Sequence, residues 1–294
     1  MAYDHNEKAG NQGDVIKHVA LLAAIDTILS SGSYKSFRYC DTFAGYASSQ
    51  MIQGNEWKDG IGRFYSGTNP TKGMVINEQL SGNLHVKLYR DLYLAGRTNY
   101  VGKTYPGSSL IVHALCIRHG VCPRFSLWDI SPAAVSSLMT TYKGLSHAIF
   151  TRPAAHDDSK IKNADFVFID PPKAPFERKS NGLFWADMIK FLMPQHKNFM
   201  FWLPIDFRKK DDIMIENTKS QRDDAISKGL DVVQVRWEPN LNHIKTVGCQ
   251  LFYRLEGIAT ASVEASLNRI CEILSWDIFV ERLGSSEAGS DGND

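Results

Sequence analysis

Phe166-Val167-Phe168-Ile169-Asp170-Pro171-Pro172 is the stretch on which the fold turns. Four apolar residues in a row leave no alternate face for water. They predict a strand buried on both sides, as in a parallel sheet covered by helices. Asp170 stops the run, and the two prolines prevent its continuation, since each lacks an N–H and fixes φ near about −65°. Open α/β sheets bind ligands beyond the carboxyl ends of their strands. An acid at that end of a buried strand is therefore a candidate functional group as well as a stop signal.

Working outward, Phe199-Met200-Phe201-Trp202-Leu203 is a second buried run, and Pro204 is expected to stop it. Phe37-Arg38-Tyr39-Cys40-Asp41 reads as a short first strand, followed by Thr42-Phe43-Ala44-Gly45. Arg124-Phe125-Ser126-Leu127-Trp128 ends at Asp129, and Ala148-Ile149-Phe150-Thr151 is another strand. Residues 232–237 and 249–255 form a strand pair. Between them lie helical patterns: one capped by Asp14 and ended by Gly32, one over 110–117, and one opened by Ser131-Pro132 and running towards Tyr142. Two more cover 209–228 and 260–283. Such alternation predicts a doubly wound, mostly parallel α/β sheet. Residues from about 50 to 104 do not fit it. They are rich in Gly, Asn and Tyr, with a helical patch near 85–94, and read as an insertion after the first strand. The organisation expected is one domain over 1–283, interrupted by the insertion at about 50–104, with a disordered Gly/Ser/Asp tail at 284–294.

Composition narrows the class. Hydrophobic residues make up 43% of the 294 and charged residues 22%, which excludes a disordered or fibrous chain. The net charge of +1 gives no global field for a nucleic acid or a membrane. Five cysteines without a CxxC pair fit reduced thiols in a cytoplasm and no zinc site or disulfide framework. The start of the chain carries charges and is no signal peptide, and the longest apolar stretch is too short to span a bilayer. A soluble, cytoplasmic, monomeric protein with no metal and no membrane partner is expected. Zincin, serine-hydrolase and P-loop motifs are absent.

Chemistry concentrates at strand ends. Asp41-Thr42-Phe43-Ala44-Gly45 has one glycine where a dinucleotide fingerprint has three, so it fits a plain turn as well as a cofactor loop. Asp129 is placed to bind the two hydroxyls of an adenosine ribose; capping a helix is the alternative. Asp170-Pro171 carries an acceptor pair. A carboxylate and a proline carbonyl can take both N–H bonds of an exocyclic amine such as adenine N6. That frees its lone pair to attack a sulfonium methyl. The same residues can also be mere turn punctuation. Lys17 and His18 sit in the first turn of a helix, against the positive end of its dipole, which points either to something anionic there or to two solvated side chains. Ser108 opens a helix, either towards a ligand or as its cap.

Taken together, Lys8-Ala9-Gly10-Asn11-Gln12-Gly13-Asp14-Val15-Ile16-Lys17-His18, Asp41-Thr42-Phe43-Ala44-Gly45, Tyr105-Pro106-Gly107-Ser108, Ile169-Asp170-Pro171-Pro172 and Phe201-Trp202-Leu203-Pro204 resemble the RlmJ family of 23S ribosomal RNA adenine-N6 methyltransferases. Glu56-Trp57-Lys58-Asp59-Gly60-Ile61-Gly62-Arg63 in the insertion is similar too, and the likeness extends to about residue 254. The resemblance implies a Rossmann-like class I methyltransferase fold with a small helical insertion. It implies S-adenosyl-L-methionine as cofactor, with His18, Lys17, Phe43, Ser108, Asp129 and Asp157 around it. Asp170 and Pro171 would be catalytic, and Tyr3, Lys173 and Phe176 would face the substrate. The sequence departs from the family at three places. Phe43 replaces a histidine at the cofactor, Lys8 replaces a histidine before Ala-Gly-Asn, and Lys173 replaces an aromatic that stacks on the extruded base. Phe176 is the candidate substitute for that platform.

The function implied is methyl transfer to adenine N6 of ribosomal RNA, with DNA as the other nucleic acid kept open. The alternative is a cofactor-binding protein with lost or altered catalysis, linked to use of external DNA. Lys8, Lys17, Arg63, Lys87, Arg90 and Arg97 are a candidate local patch for phosphates, against the bland reading of solvated side chains.

Overall fold

The computed structural model describes residues 9–50, 56–64, 77–80, 82–94, 104–152, 154, 159–171, 190–194, 198–206, 222–237 and 246–281. Tyr3, Lys8, Arg97, Asp157, Lys173, Phe176, the tail and most of the helix expected over 209–228 lie outside these residues.

The chain opens with α1 (Gln12–Ser30), then β1 (Ser36–Asp41) and β2 (Ser48–Gln50). Short 3-10 turns and α2 (Leu84–Leu94) follow, then β3 (Thr104–Pro106), α3 (Ser108–Arg118), β4 (Cys122–Trp128), α4 (Pro132–Thr141) and β5 (His147–Phe150). After a helical turn at Ser159–Lys162 come β6 (Phe166–Ile169), β7 (Phe199–Asp206), β8 (Asp231–Arg236) and β9 (Thr246–Arg254), a closing helix (Ala259–Leu274) and β10 (Asp277–Glu281).

One sheet of eight strands has the order β10-β8-β9-β7-β6-β1-β4-β5. β5, β4, β1, β6 and β7 run parallel, while β9 is antiparallel to both β7 and β8. The chain builds outward from β1 to β4 and β5, then crosses back to lay β6 on the other side of β1. The carboxyl ends of β4, β1 and β6 therefore open onto one crevice, the usual ligand position in such sheets. This is the Rossmann-like class I architecture the sequence implied. β6 is buried at every residue, as its unbroken apolar run requires.

α1 is not amphipathic in the usual sense. Every residue from Gln12 to Asp26 is buried, because the helix is enclosed by α2, α3 and the closing helix. Its cap is Asn11, whose side chain accepts from the Asp14 backbone N–H, and not Asp14 as the sequence suggested.

Two further expectations need correction. Pro204 does not end β7, which runs on to Asp206 with Pro204 opposite Cys249. β6 pairs with β7 only as far as Phe201, so from Trp202 onward one side of the strand has no ladder to lose, and a proline is tolerated. The closing helix stops at Leu274 and not at 283. Ser275 adopts the left-handed conformation at φ 57°, and the chain turns back to pair β10 with β8.

The segment expected to be an insertion is flanked by β2 and β3, paired antiparallel from Ser48 opposite Pro106 to Gln50 opposite Thr104. Gly60 docks it on the entrance of α1. Its neighbour Ile61 donates a backbone bond to Gly10 O at 2.9 Å, and a Cβ on Gly60 would lie 2.2 Å from that same oxygen. Backbone cannot yield as a flexible side chain can. Gly60→Ala is therefore expected to cost about 1–3 kcal/mol of stability, the usual range for overpacking. Thermal denaturation should register this as a Tm lower by a few degrees.

Candidate active site

The start of α1 is a polar knot. Asp14 Oδ2 accepts the Gly10 N–H at 2.7 Å, while its Oδ1 lies 2.6 Å from Lys17 Nζ. The same ammonium reaches Asp170 Oδ2 at 2.6 Å. Lys17 is thus held between an acid one turn earlier on its own helix and the acid that ends β6. The indole of Trp202, on β7, lies under it at 5.1 Å from Nζ to the ring centroid. Burial alone would pull the Lys17 pKa down, but the two carboxylates outweigh it and the net shift is upward. Lys17 stays protonated, and the anions it meets are the chain's own.

His18 faces a cage of phenols. Its Nδ1 lies 3.0 Å from Tyr105 Oη and 3.0 Å from Tyr93 Oη, and its ring stacks on Tyr105 at 5.5 Å. Tyr93 belongs to α2, so the insertion reaches this histidine directly. Tyr89, one turn earlier, bonds Tyr105 Oη at 3.2 Å.

The third group is centred on Asp41, fully buried at the end of β1. Its Oδ2 accepts the Ser108 hydroxyl at 2.6 Å and the Tyr39 hydroxyl at 3.0 Å, and its Oδ1 accepts the Phe43 N–H at 3.2 Å. Burial pushes its carboxyl up to about 7, against the lowering effect of these bonds. Ser108 is the first residue of α3, and the cap is Gly107, which has no side chain. The hydroxyl of Ser108 is therefore turned to Asp41 and not to its own helix.

Asp129, after β4, does not cap α4 either; Ser131 does, accepting from the Ala134 N–H at 3.4 Å. The Asp129 carboxylate ties two turns together, accepting the Ser131 N–H at 2.7 Å and the Gly45 N–H at 2.9 Å. Gly45 sits at φ 59°, a conformation that favours glycine and lets the backbone bring its N–H to the acid. Each oxygen has taken one bond, which leaves acceptor capacity on both.

Comparison with known proteins bears on this arrangement. No family model matches the sequence. The chain is 31% identical over 254 residues to the ribosomal RNA large subunit methyltransferase J of Haemophilus influenzae, across 80% of this chain and 77% of that one. The chain belongs to the ribosomal RNA large subunit methyltransferase J family. The Escherichia coli protein of the same name is 23% identical over 232 residues, covering 75% of this chain and 76% of its own. A Legionella pneumophila crystal structure superposes with a TM-score of 0.67 at 16% identity, covering 94% of this chain and 99% of that one. That likeness is one of fold.

Of the site residues expected for a methyltransferase J protein, the structure joins Lys17 directly to Asp170, and Pro171 is buried. His18 is adjacent on α1. Ser108 and the Phe43 N–H both donate to Asp41, and Asp129 accepts from the Gly45 N–H in the same turn. Phe43 itself packs on an apolar cluster that includes Cys40, Trp128 and Val167. Sequence reasoning gave Asp14 only a helix cap, and gave no role to Asp41, Tyr39, Tyr93 or Tyr105. The i, i+4 spacing of Tyr89 and Tyr93 in a helical patch was the signal for two phenols on one face. Nothing in the sequence said that this face meets His18.

The candidate phosphate patch is not one surface. Lys17 is buried in its ion pairs, and Arg63 is buried with Nη1 donating to Leu274 O at 2.6 Å. Arg90 pairs with Asp91 at 3.4 Å, and of the described members only Lys87 is exposed.

Removing the Lys17 ammonium would take from the buried Asp14 and the largely buried Asp170 the cation they share. Lys17→Met is expected to destabilise the fold by about 3–5 kcal/mol, the range for breaking a buried pair. Arg38→Ala, at a pair whose arginine is half exposed, should cost about 1 kcal/mol or less. Urea denaturation of both variants at one pH gives the comparison. Equal losses would remove the special status of Lys17.

Proposed function

We propose that this chain transfers a methyl group from S-adenosylmethionine to adenine N6 of 23S ribosomal RNA, working as a cytoplasmic monomer. The observation that carries the reading is Asp170, at the carboxyl end of β6 and held by the Lys17 ammonium, on the same side of the sheet as Asp41 and Asp129 at the ends of β1 and β4. In the same reading, residues 1–283 are one methyltransferase domain with the insertion at about 50–104 as a subdomain.

The residues present fit the cofactor. Asp129 retains acceptor capacity on both oxygens for two ribose hydroxyls, and Ser108 and His18 are the candidates for the other end of an adenosyl ligand. Asp157 is the candidate for its adenine end. When bound, the cofactor supplies a sulfonium methyl as the electrophile. This chain supplies the geometry. The Asp170 carboxylate and the Pro171 carbonyl accept the two N–H bonds of the target amine. Its lone pair is thereby withdrawn from the ring and aimed along the line of attack. Lys17, always charged, keeps Asp170 an anion and fixes its direction. A carboxylate beside a fixed cation is a weak base, so Asp170 orients the amine first and receives its proton during or after transfer. Tyr3, Lys173 and Phe176 are the proposed contacts to the extruded base.

The test is incubation of the purified protein with labelled S-adenosylmethionine and unmodified ribosomal RNA, with DNA in a parallel arm, followed by mass spectrometry of nucleosides. N6-methyladenosine in the RNA is the expected product. Cofactor binding with no methyl transfer to either nucleic acid would instead support the binding-protein reading.

Two variants sharpen it. Asp170→Ala should lose methylation by at least about 10²–10⁴-fold, the range for a positioned proton acceptor, with cofactor affinity within a few-fold. Asp129→Ala should weaken the cofactor by roughly 10- to 150-fold, the equivalent of about 1.5–3 kcal/mol for bonds to a charged group. Calorimetry separates the two, with circular dichroism confirming that each variant is folded.

A further inference from the structure

We propose that Arg236 and Phe279, on the outer strands of the sheet, hold an unpaired nucleotide of the RNA substrate beside the target, the guanidinium on its phosphate and the ring against its base. The inference rests on the RNA reading above and deepens it. The candidate phosphate patch is dispersed, so the substrate has to be met elsewhere on the chain.

The arrangement starts from two amides in an apolar place. On the face of the sheet that carries Leu203, Val232 and Phe252, β8 and β9 set Gln234 opposite Gln250. Both are buried, at 7% and 1% exposure. A buried amide costs free energy unless its polar atoms find partners. The Gln234 side chain lies 3.1 Å from that of Gln250, and 2.8 and 2.9 Å from Nε and Nη2 of Arg236. A guanidinium only donates, so the atom turned to it is the Gln234 oxygen, which takes both bonds, and the amino group serves Gln250. One edge of the guanidinium is thereby fixed, and the edge formed by Nη1 and Nη2 is left to a ligand.

The fixed guanidinium lies over Phe279, with Cζ 5.6 Å from the ring centroid. Phe279 stands opposite Gln234 on β10, and 45% of it stays exposed with the cation already on it. Arg236 is exposed as well. Asp277 is its neighbour in the ladder, yet no carboxylate among the described residues comes within ion-pair distance of Arg236. Its charge is not spent inside the chain. An exposed ring beside a held, unneutralised fork matches a planar base joined to a phosphate. The fork suits phosphate oxygens, and an aromatic ring stacks on any base. Bases inside a duplex are covered on both faces, so the nucleotide recognised is an unpaired one.

The position agrees. Arg236 ends β8, which runs parallel to β7 because both are antiparallel to β9. It therefore lies at the same edge of the sheet as Asp170. Through Gly248 it is level with Ile205, which is beyond Phe201, the partner of Ile169 at the end of β6. Strands about 4.8 Å apart rising about 3.3 Å per residue put it roughly 15–20 Å from that end. A short stretch of unpaired RNA spans this distance.

The experiment is steady-state methylation of unmodified 23S ribosomal RNA by the full-length protein, with S-adenosylhomocysteine affinity measured by calorimetry alongside. Phe279→Leu is expected to raise KM for the RNA by about 5- to 150-fold, the equivalent of one stacked base. Arg236→Ala should raise it by roughly tenfold and flatten the log–log dependence of KM on salt by about 0.7, as for one lost phosphate contact. In both, kcat at saturating RNA and cofactor affinity should stay within a few-fold. Arg236→Lys keeps the charge without the fork and should restore the salt dependence but not the full KM. A KM unchanged in either Phe279→Leu or Arg236→Ala overturns the proposal and leaves the methyltransferase reading intact. So does a loss confined to kcat. A parent dimer that Phe279→Leu disperses without changing the RNA KM also overturns it, by making this edge a contact between copies of the chain. No methylation of the RNA by the parent overturns both readings. Should a variant fail to fold, Phe279→p-benzoylphenylalanine in the otherwise unchanged protein decides: photocrosslinking to the RNA supports the proposal, and its absence ends it.

Discussion

A lysine ammonium cannot be buried alone, and the placement of Lys17 follows from that constraint. Its charge is met by Asp14 from the first turn of α1 and by Asp170 from the end of β6. Those two bonds tie a helix to the sheet at the one point where both begin to matter chemically. Asp14 also holds Gly10, and Gly10 O receives the Ile61 N–H from the insertion. Three separate parts of the chain, the entry of α1, the β6 end and the insertion, are thus fixed in relation to one another through one cation and its ligands. Desolvation makes the arrangement expensive to break and not especially stabilising to make. Its return is a fixed direction for the Asp170 carboxylate.

Two other buried acids show how the same physics gives opposite results. Asp26, on α1, is also out of water, and burial alone would raise its carboxyl. Hydrogen bonds from His85 and His119 outweigh that and hold it below its ordinary value. His119 lies 2.7 Å from Asp26 and His85 3.5 Å, with α2 and the turn after α3 supplying them. Asp26 therefore behaves as a structural anion joining α1 to its neighbours. Asp41 has only neutral donors, two hydroxyls and one N–H, and another acid in Asp170 nearby. Burial wins there, and its carboxyl rises to about 7. Asp26 has Arg118 at 3.8 Å as well as its two histidine hydrogen bonds, whereas the charged group beside Asp41 is another acid.

The insertion contributes to the site through side chains and not through the sheet. β2 and β3 form its neck, and β3 leads directly into α3, so Tyr105 and Ser108 stand three residues apart on either side of the Gly107 cap. Tyr93 from α2 completes the contact with His18 and also donates to Pro106 O at 3.2 Å. A shift of α2 would be felt by the histidine and the neck together.

The α/β class, the central strand at 166–169 and the strand-end acids were legible in the sequence. Each follows from local hydrophobic pattern and turn chemistry, which short stretches carry by themselves. Where local signals misled, a neighbour decided. Pro204 stays in a strand because β6 has already left its side, and the closing helix yields to β10 because β8 offers an open edge. Asp14 and Ser108 look like caps, yet Asn11 and Gly107 hold those positions, and both side chains serve distant partners. Lys17 and Arg63 read as a surface for phosphates and are buried. Asp41, Tyr93 and Tyr105 had no assigned role, since their partners are 67, 75 and 87 residues away in the chain. Periodicity records which residues leave water. Which buried polar groups meet one another, and so which acid stays charged and which takes up a proton, is set by the packing of elements far apart in sequence, and only the tertiary structure decides it.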